Sequence, residues 1–270
     1  MSYSEALKID QMRQPEFALI IPVCDEAACI GSVLDEFLEA VDPAKFVIAV
    51  GVNGSRDRTA EIARQRPVLV AETESRGYGY GCQAAIGLTN KLFPSVRAYV
   101  FCAGDGATDP RDIHSLTNRF EQGYDFVLGS RTRLWRNWRA MTLRHVVANA
   151  GLGVWAGLLG GKMFSDLGPM RLVSRELFEK IDPREMTFGW TIEAQIVAAK
   201  LDAAICEIPV RERQRLAGEQ KVSGVTWQRT LGIGCQIVAA GWRSRQSFRV
   251  APVVRRPALL SPPESRQREA

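Results

Sequence analysis

The amino-acid sequence predicts an α/β fold with a mainly parallel central sheet that is flanked by helices. Short apolar runs of strand length alternate, four times in the first half, with stretches whose apolar residues recur at helical spacing. A loop rich in glycine or polar residues follows each of these runs. The 270 residues are 46% hydrophobic, which is enough to bury a core on both faces of such a sheet.

The first predicted strand is the apolar run 17–22, and Ile30, Leu34 and Phe37 then lie on one face of a helix. Further strands are predicted at 46–52, 68–71, 98–102, 124–128, 170–173 and 204–210. One further helix is predicted to begin near residue 59, and another, after the third strand, to end at residue 92. The remaining helices are predicted at 142–160, 190–201 and 226–244. Because strand, loop and helix alternate in the first half, its strands are expected to be parallel.

We expect one domain over residues 16–245, preceded by a polar extension at 1–15 and followed by a basic, Pro-rich, disordered tail at 246–270. The N-terminus lacks the pattern of a signal peptide, and the apolar run 146–161 is too short to span a bilayer. The six cysteines include no Cys-x-x-Cys pair. They are expected to be reduced thiols of a cytoplasmic protein.

Basic residues are concentrated in two stretches, although the formal net charge is only +5. No acidic residue lies between residues 125 and 166 or between residues 219 and 264. These stretches favour an anionic partner, with a merely solvated basic surface as the alternative. Trp135 and Trp138 alternate with arginines, which favours contact with a lipid phosphate at a membrane surface or a loop that closes over a ligand. Nucleic acid is not expected, because no known nucleic-acid-binding module is present.

Five loops at the expected carboxyl edge of the sheet carry glycines or polar groups. In a parallel α/β sheet, ligands bind at this edge. The loops are Pro22-Val-Cys-Asp-Glu26, Asn53-Gly-Ser-Arg-Asp57, Arg76-Gly-Tyr-Gly-Tyr-Gly81, Ala103-Gly-Asp105-Gly-Ala-Thr-Asp109 and Gly129-Ser-Arg131. Any one of them is an ordinary turn or helix cap, whereas five in order predict a ligand site.

Together with four blocks in the second half, these loops resemble the family-two glycosyltransferases of the GT-A fold, which is Rossmann-like and binds nucleotide sugars. The similarity is closest to the dolichol-phosphate mannose synthase-like branch and covers about residues 17–243. The four blocks are Asp166-Leu-Gly-Pro-Met-Arg171, Phe188-Gly-Trp-Thr-Ile-Glu193, Glu207-Ile-Pro-Val210 and Lys221-Val-Ser-Gly224. The resemblance implies a nucleoside-diphosphate sugar as donor, transfer with inversion, and often a polyprenyl phosphate as acceptor.

The resemblance also implies roles for individual residues. The implied nucleotide-sugar-binding residues are Pro22, Val23, Glu26, Asn53, Arg76, Gly77, Gly104, Asp105 and Arg131. Cations from loops near the mouth of the site are expected to stabilise the leaving diphosphate, as a metal would. The candidates are Arg131, Arg171, Arg213, Arg215 and Lys221, and a solvated surface cation is the alternative for each.

Glu193 is the candidate general base, because the family places a carboxylate near the acceptor at this position. The alternative is an acid that is favoured at a helix N-terminus. Asp109 and Asp166 are further candidate carboxylates with similar alternatives, since Asp109-Pro110 is also a natural helix start. Trp190 is expected beside the acceptor. If the acceptor is a phosphate, no base is needed, because the nucleophile is already an anion.

The metal-binding signature departs from the usual form of the family. The resemblance implies Asp105 as a ligand of Mg²⁺ or Mn²⁺, but Ala103 and Ala107 stand where oxygen ligands are usual. One carboxylate and a diphosphate are expected to hold a metal only weakly, because Mg²⁺ takes about six oxygen ligands. Val52 likewise stands where the family has an acid that contacts the base.

Two other classes of function compete with active glycosyl transfer. Ala103, Ala107 and Val52 favour a catalytically degenerate relative that binds a nucleotide or a partner protein. The retained Asp105 and Glu193 favour catalysis instead. A sugar-nucleotide pyrophosphorylase would need a long Gly-rich phosphate loop after the first strand, and the sequence does not have one there.

Overall fold

The computed structural model describes residues 14–141, 143–217 and 227–246, so most of the expected N-terminal extension and C-terminal tail lie outside it. Its strands are β1 (Phe17–Val23), β2 (Phe46–Asn53), β3 (Leu69–Thr73), β4 (Ala98–Phe101), β5 (Phe126–Ser130), β6 (Arg171–Ser174) and β7 (Ile205–Pro209). Its α-helices are α1 (Ile30–Ala40), α2 (Thr59–Ala63), α3 (Tyr78–Leu92), α4 (Ile113–Glu121), α5 (Leu143–Gly160), α6 (Arg175–Ile181), α7 (Trp190–Lys200) and α8 (Trp227–Gln246). Short 3-10 helices lie at Pro110–Asp112 and Trp135–Arg139.

The strands form one sheet in the order β3-β2-β1-β4-β6-β5-β7. Strand β6 runs antiparallel to β4 and β5, and the other neighbouring strands are parallel. The expected mainly parallel sheet is therefore confirmed, with one reversed strand that the sequence did not indicate. Because β6 is reversed, its first residue, Arg171, pairs with Phe101 at the end of β4 and with Leu128 near the end of β5.

Strand β1 shows why the sequence contains continuous apolar runs. Successive side chains of a strand point to opposite faces of the sheet. Ala18 and Ile20 pack into the core under α3 and α7, whereas Leu19 and Ile21 pack into the core under α1 and α4. All seven residues of β1 are buried, because helices cover both faces.

Two glycines bring the start of α3 close to the middle of the sheet. A Cβ atom added to Gly51 in β2 would lie 1.9 Å from the carbonyl oxygen of Gly81 in α3. A Cβ atom added to Gly81 would lie 2.7 Å from the carbonyl oxygen of Gly51. Because only glycine permits so close an approach, these two positions hold the Gly-rich loop before α3 at the carboxyl edge of the sheet.

Helices α4 and α6 were not predicted individually, although each begins at a recognisable signal. The side chain of Asp109 caps the 3-10 turn before α4, and the Ser174 hydroxyl caps α6 by accepting from the backbone N–H of Leu177 at 3.2 Å. Within the part of the chain that the structure describes, no helix is both long and apolar enough to cross a membrane.

Candidate active site

One buried side chain joins the loops after β1, β2 and β3 at the carboxyl edge of the sheet. The amide of Asn53 donates from Nδ2 to the Val23 carbonyl at 2.8 Å. Its Oδ1 accepts from the backbone N–H of Gly77 at 3.1 Å. Asn53 is a predicted nucleotide-binding residue, and its buried side chain holds three loops together. Pro22 is buried beside it, at the end of β1.

Arg76 lies over the loop that follows β1. Its Nη2 donates to Oδ2 of Asp25 at 2.8 Å, while Oδ1 of Asp25 accepts from the backbone N–H of Arg56 at 2.7 Å. Asp25 has a left-handed backbone with a φ of 53°. The hydrogen bond from Arg56, supported by the charge of Arg76, lowers the pKa of Asp25 in spite of its partial burial. The sequence did not single out Asp25, which is the direct partner of the predicted Arg76.

A guanidinium group lies between two carboxylates that the sequence assigned to the donor pocket. The Nη2 atom of Arg215 is 2.9 and 3.0 Å from the two carboxylate oxygens of Glu26. Its Nη1 atom is 3.3 Å from Oδ2 of Asp105. The side chains of Arg215, Glu26 and Asp105 are 17%, 8% and 21% exposed. Three predicted residues therefore meet in one partly buried cluster, and Arg215 is one of the cations expected to stabilise the leaving diphosphate.

The loop after β4 is closely packed against its surroundings. A Cβ atom added to Gly104 would lie 2.3 Å from a methyl carbon of Val23, so glycine is required for the contact with β1. Asp105 accepts at Oδ1 from the backbone N–H of Ala107 at 3.0 Å. Gly106 has a φ of 79°, and a Cβ atom there would lie 2.5 Å from Cγ of Leu216.

Residues 211–217 cover this loop, and we call them the 211–217 strap. The backbone N–H groups of Arg213 and Leu216 donate to the carbonyls of Ala107 and Asp105 at 2.8 and 3.1 Å. Side-chain contacts also hold the strap in place. Arg211 pairs with Asp112, and Arg213 pairs with Glu36. The backbone N–H of Glu212 donates to the side-chain oxygen of Asn137. Lys221, a predicted catalytic residue, lies outside the described residues.

A second buried cluster joins the end of β5 to the loop before β6. Arg131 donates from Nε and Nη2 to the carboxylate of Asp166 at 2.9 and 3.0 Å, and from Nη1 to Glu212 at 3.3 Å. Burial alone would lower the pKa of the Arg131 guanidinium, but the charges of Asp166 and Glu212 raise it overall. The predicted Arg131 and Asp166 are thus brought together in an ion pair.

Glu212 is the most perturbed carboxyl group of this region. Burial raises its pKa to about 7, against the opposing effect of Arg131 and with a further upward contribution from Asp105. The sequence offered little to identify it, because Glu212 lies between two arginines in an irregular segment. Its pairing with Arg131 spans 81 residues of chain.

Arg171 and Trp190 are each only 1% exposed. The guanidinium of Arg171 donates to the backbone carbonyls of Gly168, Pro169 and Thr191, and burial lowers its pKa. Trp190 packs into the core on the side of α3 and α7. Both residues lie beneath the carboxyl edge, whereas the sequence predicted direct roles in catalysis and acceptor contact.

Glu193 and Asp109 each accept hydrogen bonds from nearby backbone. Oε2 of Glu193 accepts from the N–H groups of Arg184 and Glu185 at 2.9 and 2.8 Å, and burial raises the pKa of Glu193. Asp109 accepts from the N–H and the guanidinium of Arg111, whose hydrogen bonds lower the pKa of Asp109. The contacts of Asp109 match the helix-start alternative, whereas Glu193 binds the backbone of residues 184 and 185, which precede α7.

The oxygen donors near Asp105 do not fit a divalent metal in this arrangement. Both carboxylate oxygens of Glu26 and one of Asp105 face the guanidinium of Arg215, and the remaining oxygen of Asp105 faces an N–H. The neighbouring positions 103 and 107 are alanines. Across the described ranges, no group of three or more His, Cys, Asp or Glu side chains could hold a metal ion.

Comparison with protein families and characterised proteins gives a consistent result. The family model for glycosyl transferase family 2 matches residues 18–182. A dolichyl-phosphate hexose transferase from Haloferax volcanii is 31% identical over 208 residues, which cover 77% of this chain and 86% of the relative. The hexosyltransferase Agl6 of low-salt glycan biosynthesis, from the same organism, is 26% identical over 77% of this chain and 50% of its own length.

The fold is similar to that of glucosyl-3-phosphoglycerate synthase from Mycobacterium tuberculosis. A crystal structure of that enzyme with Mn²⁺, UDP-glucose and glycerol 3-phosphate superposes with a TM-score of 0.63. The similarity covers 91% of this chain and 85% of that chain, at 18% sequence identity. At this level of identity the likeness concerns the fold.

Proposed function

The chain belongs to glycosyl transferase family 2 and is a glycosyltransferase of the GT-A fold, and from this premise we propose that it transfers a hexose from a nucleoside-diphosphate sugar to a polyprenyl phosphate. The observation that carries the proposal is the convergence of the loops after β1, β2, β3 and β4 on one edge of the sheet. Asn53 ties three of these loops together, and Arg215 links Glu26 to Asp105. Ligands of open α/β sheets bind at such an edge.

The proposed acceptor is a lipid phosphate, for two reasons. The first is the name of the Haloferax relative, which identifies dolichyl phosphate as the substrate of that enzyme. The second is an apolar stripe on the outer face of α5, which we call the α5 stripe. It consists of Leu143, Val147, Val154 and Leu158, whose side chains are 40–69% exposed.

The sequence of α5 explains why apolar residues remain on its surface. Glycines form the inward face of the helix: Cβ atoms added to Gly153, Gly157 and Gly160 would lie within 3 Å of Phe164, Lys162 or Met163, and Ala199. The larger side chains of the α5 stripe therefore point outward. Trp135 is 73% exposed near the start of the same segment, which has no acidic residue from 126 to 165. Exposed apolar and aromatic groups with nearby arginines suit the surface of a bilayer that contains anionic lipids.

We place the proposed reaction at the cytoplasmic face of the membrane, because anionic lipids give that leaflet a negative surface potential. Arg133 and Arg136 are exposed beside Trp135 and are free of acidic neighbours in sequence. A lipid phosphate that rises from the bilayer would then approach the end of β5, where Arg131 and Asp166 lie.

The proposed chemistry is a single displacement at the anomeric carbon. An acceptor phosphate oxygen forms the new bond to this carbon as the bond to the donor diphosphate breaks, and the electron pair leaves with the diphosphate. Attack from the opposite side inverts the configuration. Because the acceptor oxygen is already negative, no carboxylate has to remove a proton. This is consistent with the engagement of Glu193 by two backbone N–H groups.

A catalytically degenerate, nucleotide-binding relative is the second candidate function. Ala103 and Ala107 favour it, since they remove oxygen ligands near Asp105. The retained cluster of Glu26, Asp105 and Arg215 favours catalysis, because a site that only binds a partner has no need of these charges.

Titration with a panel of nucleotide sugars, with and without Mg²⁺ or Mn²⁺, tests the proposed donor. We expect one donor to bind and turn over, and Arg76→Met to weaken its binding by about tenfold, or ~1.4 kcal/mol. The matched control is Arg97→Met, because Arg97 is a half-exposed cation that pairs with Glu16 just before β4, at the opposite edge of the sheet from the loops. Binding without any turnover would support the degenerate relative, and the absence of binding by every donor would contradict both functions.

A further inference from the structure

Arg215 occupies the space between the two carboxylates of the donor edge. Its Nη2 contacts both oxygens of Glu26, and its Nη1 contacts Asp105. Three loops of the fold contribute to this arrangement, because Glu26 follows β1, Asp105 follows β4 and Arg215 follows β7. Each contact crosses a long stretch of chain, and the pairing of Arg215 with Glu26 spans 189 residues. The tertiary fold therefore builds this charge cluster.

The 211–217 strap fixes the position of this guanidinium. The backbone N–H of Leu216, the next residue, donates to the carbonyl of Asp105 at 3.1 Å. Two residues earlier, the N–H of Arg213 donates to the carbonyl of Ala107 at 2.8 Å. The backbone that carries Arg215 is thus bonded on both sides to the loop that carries Asp105. A side chain held in this way is positioned before any ligand arrives.

The guanidinium also retains hydrogen-bonding capacity. An arginine has five N–H donors in a fixed fork, and the hydrogen bonds to Glu26 use only those of Nη2. The Nε atom of Arg215 is buried without a hydrogen-bond partner among the described atoms. Since a buried unpaired donor is unfavourable, a ligand oxygen that reached this atom after a small rotation would stabilise the site.

We propose that Arg215 is the resident cation of the donor site and takes the place between Glu26 and Asp105 that a divalent metal would otherwise take. This inference rests on the proposed transfer from a nucleoside-diphosphate sugar. Arg215 partly neutralises the two carboxylates, so the donor diphosphate can enter, and it pairs with the diphosphate as the sugar leaves. Nucleotide binding and sugar transfer therefore proceed without a divalent metal.

The same arrangement predicts what happens when the guanidinium is removed. Arg215→Met leaves two carboxylates close together with no cation between them, and these repel a diphosphate. They also provide oxygen ligands for a hard divalent cation, and oxygens of the diphosphate and of water can complete its coordination sphere. Loss of Arg215 is thus expected to convert metal-independent binding into metal-dependent binding.

The experiment is calorimetric titration of the full chain with UDP, GDP and dTDP, in EDTA and in Mn²⁺. In the wild type, we expect one nucleotide to bind in EDTA, with an affinity that Mn²⁺ changes less than twofold. In Arg215→Met, we expect affinity in EDTA to fall at least tenfold and Mn²⁺ to restore part of it. Arg215→Lys keeps the charge and is expected to retain metal-free binding, which controls for folding, and Arg97→Met is the surface control.

Electron paramagnetic resonance of Mn²⁺ gives a readout that does not depend on turnover. With the nucleotide present, Arg215→Met should bind Mn²⁺, and the wild type and the double variant Arg215→Met/Asp105→Asn should not. Tight nucleotide binding by the wild type only with Mn²⁺, or unchanged binding by Arg215→Met in EDTA, would overturn this inference alone. Absence of nucleotide binding under every condition would overturn the proposed function and this inference with it.

Discussion

Arg131 and Asp166 form a doubly hydrogen-bonded ion pair across 35 residues of sequence, with contacts of 2.9 and 3.0 Å. The backbone N–H of Arg131 adds a third bond to the same carboxylate at 2.8 Å. The pair fixes the end of β5 against the loop that leads into β6. Because both side chains are largely buried, the loss of the Asp166 charge leaves Arg131 with Glu212, at 3.3 Å, as its remaining carboxylate contact.

Asp166→Asn is therefore expected to destabilise the protein strongly. We expect the free energy of unfolding to fall by about 3 kcal/mol, the order found when one partner of a buried ion pair is removed. Urea denaturation measures the change. Asp35→Asn serves as the control, because Asp35 is about half exposed and pairs with Arg66 at the surface. Equal effects of the two substitutions would contradict the structural role of the Arg131–Asp166 pair.

The raised pKa of Glu212 predicts a pH-dependent stability. Between the ordinary pKa of 4.5 and the raised value of about 7, the folded state keeps a proton that the unfolded state releases. The contribution of this group to stability is therefore lost as the pH rises through this range. Glu212→Gln removes the titration, so the variant should exceed the wild type in stability at pH 8 by about 1–3 kcal/mol, and the difference should shrink towards pH 4.5.

Urea denaturation of both proteins between pH 4.5 and pH 8 measures this difference. The charges that face Glu212 are those of Arg131, Asp105 and Asp166, and all three remain in the variant. Glu39→Gln on α1 is the matched control, because Glu39 is exposed. A stability difference for Glu212→Gln that grows as the pH falls would contradict the account.

Glu193 has two possible roles in this site, namely general base and loop anchor. Its two hydrogen bonds to backbone N–H groups predict that Glu193→Gln lowers stability by about 1–2 kcal/mol. If the acceptor is a phosphate, turnover by this variant should remain within about tenfold of the wild type, since no proton transfer is lost. Steady-state kinetics over a range of pH tests this. A loss of about a thousandfold in kcat, with a changed pH profile, would instead identify Glu193 as the base.

The α5 stripe predicts binding to lipid bilayers. Val147→Glu/Leu158→Glu places two charges on the stripe and should reduce co-sedimentation with phosphatidylglycerol-containing vesicles by at least about tenfold. Ser115→Glu/Asn118→Glu adds the same charge at exposed positions of α4, which covers the other face of the sheet. Because general charge repulsion affects both variants, equal loss of binding in the two would show that the stripe has no special role.

Much of the fold could be predicted, because local patterns determine it. The apolar runs of β1, β2 and β4 and the helical spacing in α1 follow directly from burial on both faces of a sheet. The reversal of β6 could not be predicted, because a short run of four buried residues does not indicate the direction of its strand. Helices α4 and α6 were not predicted individually, because they are short and the spacing of apolar residues around them is irregular.

The candidate site was predicted in part. Glu26, Asp105, Arg131, Asp166 and Arg215 were all identified from the sequence, and the structure brings them into two adjoining clusters. Their pairing could not be predicted, because contacts across 35 to 189 residues leave no local signal. Asp25 and Glu212, which are partners of predicted residues, were missed for the same reason. The roles assigned to the site residues remain predictions.

The most direct test of the central claim is a search for the transferred sugar. Purified protein is incubated with dolichyl phosphate or undecaprenyl phosphate and each of a panel of nucleoside-diphosphate hexoses, in EDTA and in Mn²⁺, and the lipid fraction is analysed by mass spectrometry. The account predicts a hexosyl-phospho-lipid of inverted anomeric configuration with one donor, formed in EDTA as well as in Mn²⁺. A folded protein that moves no hexose from any donor to either lipid would contradict it.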